Sequence, residues 1–367
     1  MTDLLVFWPL IVLSSAYLLL HIAVCKGLNG PAAPKYSGPV RPISVIIAAR
    51  NEERNIEPLL RSLTAQDFPS DAYEIIIVND RSEDGTAALV RAAAATAPNI
   101  RLIDIRENTS GMPNKKHALQ RGIEAARHEL LAFTDADCIV PAGWLTGIHE
   151  AFTDEVGLVA GYSPYVEGTV NTFLRYEEMK NSLYAAAAVP FGQAFMCTGR
   201  NIAYRASVFR EVDGFARIAH SVSGDDDLFL QLVERTTSWQ IRYTTDPGCA
   251  VRTLPPDSFG QFIHQRTRHV SASSYYPVTI KAAYAVSHLF HLSLMSALLF
   301  TPVTGMVCLA LKFITDGAAV SIAMKRFEER FSVLQFYYSE ILLVLYTFLI
   351  APLGFFRSFS WKGASSQ

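Results

Sequence analysis

Leu130-Leu131-Ala132-Phe133-Thr134-Asp135-Ala136-Asp137 reads as a short buried strand that runs out into two carboxylates one residue apart. Extended backbone points residues i and i+2 to the same side, so Asp135 and Asp137 share a face. Hard oxygen donors placed this way suit Mg²⁺ or Mn²⁺, which keep coordination positions open for phosphate oxygens. A solvated Asp-x-Asp turn gives the same string, so the surroundings decide its meaning. Upstream, Ile43-Ser44-Val45-Ile46-Ile47-Ala48 is a β-branched run that ends at Arg50-Asn51-Glu52. Glu74-Ile75-Ile76-Ile77-Val78 ends at Asn79-Asp80, and residues 100–105 form a further apolar run. Helix-like segments at 55–66, 87–95 and 115–127 lie between these runs. Strands alternating with helices of this length predict an α/β domain with a mostly parallel sheet. Ligands on such sheets bind beyond the carboxyl ends of the strands, which is where three polar, acid-bearing clusters fall.

Downstream, Asp225-Asp226-Asp227 follows Gly224 and opens the apolar run 228–233. Acids at a helix N-terminus are favoured by the helix dipole. A cap needs one acid, however, and three adjacent ones repel, so a general base drawn from this triplet stands beside the capping role as its reading. Gln265-Arg266-Thr267-Arg268-His269 places two arginines where they would clamp a diphosphate, and equally where they would flank a membrane span. Lys115 and Lys116, at a helix start, either neutralise phosphate or stand in solvent.

The chain has 367 residues, 50% of them hydrophobic and 18% charged, with Lys+Arg 32 against Asp+Glu 34 and a net charge of −2. Average soluble domains carry about 25% charged residues. This balance excludes a disordered chain and lacks the basic excess of a nucleic-acid binder. The charge deficit is concentrated. Residues 4–25 contain no Asp, Glu, Lys or Arg, and about 20 apolar residues span a bilayer. Without a basic n-region this stretch reads as an anchor rather than a signal peptide. Apolar stretches return at 282–300, 303–324 and 333–356. The expected division is an N-terminal anchor (1–28), a cytoplasmic α/β domain (42–281), three C-terminal spans (282–357) and a tail (358–367). Lys26, Lys35 and Arg41 follow the anchor and place the domain on the cytoplasmic side of a multi-pass inner or plasma-membrane protein. Lys312 and Asp316, four residues apart inside a span, read as a self-satisfied pair. The five cysteines form no CxxC and read as reduced cytoplasmic thiols.

Taken together, these residues resemble the family-2 glycosyltransferases of the GT-A fold, in their integral-membrane branch, which includes ceramide and hopanoid glucosyltransferases and processive polysaccharide synthases. Val45-Ile46-Ile47-Ala48-Ala49-Arg50-Asn51-Glu52-Glu53 resembles the opening strand. Ile76-Ile77-Val78-Asn79-Asp80-Arg81-Ser82-Glu83-Asp84-Gly85-Thr86 resembles the "VDDGSxDGT" turn, Lys115-Lys116-His117-Ala118-Leu119 the "KxxAL" helix and Phe133-Thr134-Asp135-Ala136-Asp137 the DxD. Gly199 to Arg205 with Val212-Asp213-Gly214-Phe215 resembles the acceptor-side segment, Ser223 to Leu228 the "EDxDL" base motif, and Gln265 to His269 "QxxRW". The resemblance implies an inverting transfer from a nucleotide sugar, UDP-linked in most such enzymes, to a lipid or lipid-linked hydroxyl. Asp80 would contact the nucleoside with Asn51 or Glu52 nearby, and Lys115 would face the nucleotide. Asp135 and Asp137 would hold a divalent metal against the diphosphate, and Asp225 or Asp226 would be the base. Gln265, Arg266 and Arg268 would meet the leaving group. Two positions depart from the pattern. Gly224 stands where the family has Glu, and His269 where it has Trp, which favours single transfer over chain building. A polysaccharide synthase is the same-fold alternative, and a nucleotide-binding membrane scaffold without activity is the alternative of another class.

Overall fold

Val45 and Ile47 face one side of the first strand and Ser44 and Ile46 the other, and all four are fully buried. This strand is therefore covered on both faces, as central strands of parallel sheets are. The computed structural model describes residues 2–30, 33–168, 170–256, 258–356, 360–361 and 364–365. Its side chains are described for 8–30, 33–168, 170–256, 258, 260–267, 273 and 275–348. In chain order the elements are α1 (Thr2–Leu28), β1 (Ile43–Ala49), α2 (Ile56–Thr64), β2 (Tyr73–Asp80), α3 (Thr86–Thr96), β3 (Ile100–Ile105), α4 (Asn114–Ala125) and β4 (Leu130–Phe133). There follow β5 (Cys138–Ile139), α5 (Trp144–Ala151), β6 (Val156–Gly161), α6 (Thr172–Ala188), β7 (Ile202–Arg205), α7 (Ala206–Glu211), α8 (Asp227–Thr236), β8 (Gln240–Thr244) and β9 (Arg252–Thr253). The chain then continues through α9 (Phe259–Ala272), α10 (Val278–Phe300), α11 (Pro302–Arg326) and α12 (Val333–Phe356).

Seven strands form one sheet in the order β3-β2-β1-β4-β7-β6-β8. The first four are parallel, with Ile43 opposite both Tyr73 and Leu130, so the acid-bearing ends of β1, β2 and β4 lie along one edge. β7 runs antiparallel to both β4 and β6, and β8 is parallel to β6. The sheet is mostly parallel, as expected, and the expected helices are present within a few residues of their predicted ends. On one face Val45, Ile47, Ile75 and Ile77 pack with Leu59 and Leu63 of α2 and with Trp144 and Ile148 of α5. On the other, Ile46, Val78 and Phe133 pack with Ala118 of α4 and Phe229 of α8.

Three helical segments among the described residues are long and apolar enough to cross a membrane: Trp8–Leu28, Val278–Phe300 and Pro302–Arg326. Val333–Phe348 is a shorter apolar segment. α1 packs on α10 and α11, while α6, from the α/β part, packs on α1, α11 and α12.

Candidate active site

Parallel pairing brings the ends of β1, β2 and β4 together, and the loops beyond β1 and β2 are stapled to one another. Asn51 is held in a left-handed conformation (φ 56°). Its backbone N–H donates to Ser82 Oγ at 2.9 Å, and its side-chain oxygen accepts the Glu83 N–H at 2.9 Å. The Glu52 N–H donates to Thr86 Oγ1 at 2.8 Å, and its carboxylate accepts from Asn55 Nδ2 at 2.8 Å. Asp80 is buried. Its Oδ1 accepts from Arg81 Nε at 2.8 Å, and its Oδ2 is buried with no partner. Buried polar atoms are almost always paired, so this oxygen marks a place for a donor.

Lys115, in the first turn of α4, is the hub of the site. Its Nζ lies 3.0 Å from Asp135 Oδ1 beyond β4 and 2.9 Å from Asp225 Oδ2 just before α8. Burial opposes its charge, but the carboxylates of Asp135, Asp225 and Asp226 hold the ammonium above its usual pKa. One cation thus joins Asp135 of the DxD to Asp225 of the triplet, which stand far apart in the chain.

The triplet divides its work through backbone amides. Asp226 caps α8, with Oδ1 accepting the Asp227 N–H and Oδ2 the Gly199 N–H, both at 2.8 Å. Asp227 accepts the Leu228 N–H at 2.8 Å and the Tyr276 hydroxyl at 3.3 Å. Burial, then the neighbouring acids, pushes Asp226 and Asp227 above the usual carboxylate range, with Lys115 opposing at Asp226. Asp225 holds neither amide and faces Lys115. Gly199 closes over this group, since a Cβ there would lie 3.2 Å from Lys115 Nζ and about as close to both acids.

Gly224, the departure from the family's Glu, has a physical reason. Its φ is +82°, a left-handed conformation that a side chain strains, and a Cβ would fall 2.4 Å from Leu228 Cγ. Gly224→Ala is expected to cost about 1–2 kcal/mol from the backbone term alone, read by thermal unfolding in detergent. Gly224→Glu, which restores the family residue, is expected to lower activity rather than raise it.

Lys116 answers to neither reading of the sequence. It is fully buried, and its Nζ donates to the backbone carbonyls of Ile218 (2.8 Å), Ser221 (2.6 Å) and Ser223 (2.8 Å). Burial pushes it down to about 8, with Asp225, Asp226 and Asp227 pulling the other way. It clamps the loop that carries the triplet. Arg200, which the sequence placed in the acceptor-side segment but did not single out, is a second cation of this kind. It pairs with Glu178 of α6 at 2.8 Å and offsets the charge of Asp137. Neither residue stands out in sequence, because its partners lie on distant segments.

Arg266 is buried and ion-paired with Glu177 of α6, and its guanidinium also reaches the Tyr165 hydroxyl at 3.4 Å. Its ion pair ties it to α6. Gln265 Oε1 is buried without a partner. Arg268 and His269 lie outside the described side chains.

The donor set at the DxD fits a divalent cation. Asp137 is half-buried, and burial, Asp135 and Glu52, in that order, push its carboxyl up to about 6 while Arg200 opposes. Carboxylates that raise one another in this way gain from a shared cation. Among the described residues no group of three or more His, Cys, Asp or Glu side chains is placed to hold a metal alone. Mg²⁺ is commonly bound by one or two carboxylates, with water and phosphate completing its shell.

The sequence matches Glycosyl transferase family 2 over residues 44–213 and Glycosyl transferase family group 2 over residues 130–359. The second match spans more than half of the chain, and the protein belongs to this family of glycosyltransferases. Among curated relatives, glycosyltransferase AglE of Haloferax volcanii is 28% identical over 231 residues, 62% of this chain and 71% of AglE. The 4,4'-diaponeurosporenoate glycosyltransferase of Staphylococcus aureus is 38% identical over 96 residues, 26% of this chain and 24% of that relative. Among solved structures, the mannosyltransferase PcManGT from Pyrobaculum calidifontis, in complex with GDP-Man and Mn²⁺, superposes with a TM-score of 0.58. That match covers 93% of this chain and 99% of PcManGT at 20% identity. It shows a shared GT-A fold.

Proposed function

We propose that the protein is an inverting, membrane-bound transferase that moves a sugar from a nucleotide sugar, UDP-linked, to a hydroxyl of a lipid or lipid-linked acceptor at the cytoplasmic membrane face. The observation that carries this reading is the Lys115 bridge, which places the DxD acid Asp135 and the triplet acid Asp225 in one site. The unpartnered Asp80 Oδ2 would accept from a donor on the nucleoside. Asp135 and Asp137 would hold Mg²⁺ or Mn²⁺, which when bound offsets negative charge on the departing diphosphate. Complexes of PcManGT with Mn²⁺ and GDP-Man support both the metal and the nucleotide-sugar donor. Asp225 would take the proton of the acceptor hydroxyl as that oxygen attacks the anomeric carbon. The bond from that carbon to the nucleoside diphosphate breaks on the opposite face, and the centre inverts. Lys115 would hold Asp225 in place and supply positive charge between base and leaving group. Three apolar segments, two of which (α1 and α11) pack on α6, the helix whose Glu178 pairs with Arg200, support an acceptor presented from the membrane.

The test is incubation of the detergent-purified chain with a panel of UDP- and GDP-sugars and total lipid extract, followed by mass spectrometry of the lipid fraction. A glycosylated lipid is expected. Nucleotide binding with no product from any donor would favour the scaffold alternative. Asp137→Ala is expected to abolish the part of nucleotide-sugar affinity that depends on Mn²⁺, measured by calorimetry with and without EDTA.

A further inference from the structure

α8 carries a second feature besides its acidic N-terminus. Leu228, Leu232, Arg235 and Thr236 occupy positions i, i+4, i+7 and i+8, one face of the helix. That face lines a cavity of about 420 Å³ closed on its other sides by Arg217, Ile218, His220 and Tyr275. Leu228 and Leu232 are buried and give it an apolar floor, whereas Arg217, His220 and Arg235 are exposed at its rim. The His220 and Tyr275 rings meet at 5.3 Å. Arg235 Nε donates to the carbonyl of Gln231 in its own helix, and neither Arg217 nor Arg235 forms an ion pair among the described residues. The rim is therefore cationic without a carboxylate of its own.

One lining residue, Tyr275, brings the cavity near the start of α10. Tyr275 lies three residues before Val278, the first residue of that helix. Thr279, in its first turn, donates to Gln193 Oε1 at 2.5 Å, and the neighbouring Ala194 N–H reaches Glu234, next to Arg235, at 3.4 Å. The C-terminal end of α8 thus sits level with the start of an apolar span, the depth at which headgroup phosphates run and where Tyr and Arg concentrate. Leu228 directly follows the triplet while Arg235 lies about 12 Å further along α8, and none of Lys115, Asp135 and Asp225 lines the cavity, which therefore begins beside the nucleotide site and extends away from it.

We propose that this cavity binds the headgroup of an anionic membrane phospholipid, with the phosphate between Arg217 and Arg235 and the glycerol end over Leu228 and Leu232. The inference rests on the membrane placement of α10 in the functional reading above, but not on glycosyl transfer. It also gives lipid a route to the base, because Ile218 and Leu228 bracket the loop that Lys116 clamps and that carries Asp225. A bound headgroup would hold both ends of that loop.

The test is thermal unfolding of the full chain in neutral detergent with added phosphatidylglycerol, phosphatidylcholine or inorganic phosphate. Phosphatidylglycerol at a hundredfold excess over Kd is expected to raise Tm by roughly 5 °C, and phosphatidylcholine to leave it unchanged. Arg217→Gln/Arg235→Gln is expected to lose the increment while keeping the wild-type Tm in phosphatidylcholine, and Arg121→Gln, an exposed control on α4, to keep it. The proposal is overturned if the double variant retains the increment, if phosphatidylcholine stabilises equally, or if inorganic phosphate alone produces the same shift. Carbonate extraction separates the two layers: release of the protein without detergent removes the membrane reading, whereas retention with no lipid increment removes only the site.

Discussion

Asp225→Asn is expected to lower kcat by about 10²–10⁴-fold while leaving nucleotide-sugar affinity close to that of the wild type. Asparagine keeps the shape of the side chain and an oxygen for Lys115, so the hub retains its geometry through Asp135 as well. It cannot take a proton from an acceptor hydroxyl. Asp226→Asn is the informative companion. Both Asp226 oxygens already accept backbone N–H groups, from Asp227 and Gly199. Its amide replacement keeps one acceptor and sets an –NH2 against the other N–H, a loss of about 1–3 kcal/mol of the stability that holds the loop. The expected pattern is therefore a catalytic defect at Asp225 and a stability defect at Asp226. Single-turnover transfer to lipid extract reads the first, and thermal unfolding reads the second. Wild-type turnover by Asp225→Asn, with a dead Asp226→Asn, would reverse the assignment.

That distinction was not legible in the sequence, and the reason is physical. Three adjacent aspartates are equivalent in a string. Folding separates them by which backbone amides each one meets, and those of Gly199 and the hydroxyl of Tyr276 come from remote segments. The first half of the sheet was legible because β1 and β2 are buried on both faces, which demands unbroken β-branched runs such as Ile75-Ile76-Ile77-Val78. The second half was not assigned, because β7 is only four residues long, β6 carries glycines at 157 and 161, and β8 buries Ile241 alone, which leaves little periodicity to register. Arg266 has a partner that its own motif does not announce. Two arginines before a span suggest phosphate, but Arg266 meets Glu177 on α6, and a carboxylate on a helix remote in sequence carries no signal that it will be someone's partner. Lys116 likewise reads in sequence as either a phosphate ligand or a solvated helix residue, whereas in the fold three carbonyls of the 218–223 loop close around it.

Lys312 and Asp316 carry the other large expected effect. Their spacing predicted a pair, and the pair forms at 2.5 Å, but it is not self-contained. Lys312 also meets Glu340 of α12 at 2.5 Å, Glu340 pairs with Lys180 of α6, and Asp316 accepts the Tyr17 hydroxyl and lies 2.7 Å from His21 Nε2, both on α1. Two lysines and two acids, all buried, balance one another across three helices, and α1 joins them through Tyr17 and His21. Removing one charge leaves an uncompensated neighbour, so Lys312→Met is expected to cost about 3–5 kcal/mol. Lys312→Met/Asp316→Asn removes one charge of each sign. It leaves the Lys180–Glu340 pair neutral and is expected to be more stable than Lys312→Met alone, as thermal unfolding in detergent would show. Additive losses would mean that the groups act separately. The same network reaches the site, since α6 carries Lys180 into it and presents Glu178 to Arg200 beside Asp137. A loosened α6 should displace Arg200, so Lys312→Met is expected to raise KM for the nucleotide sugar, and the double variant to bring it back. Recovery of stability without recovery of KM would show that α6 is held there for folding alone.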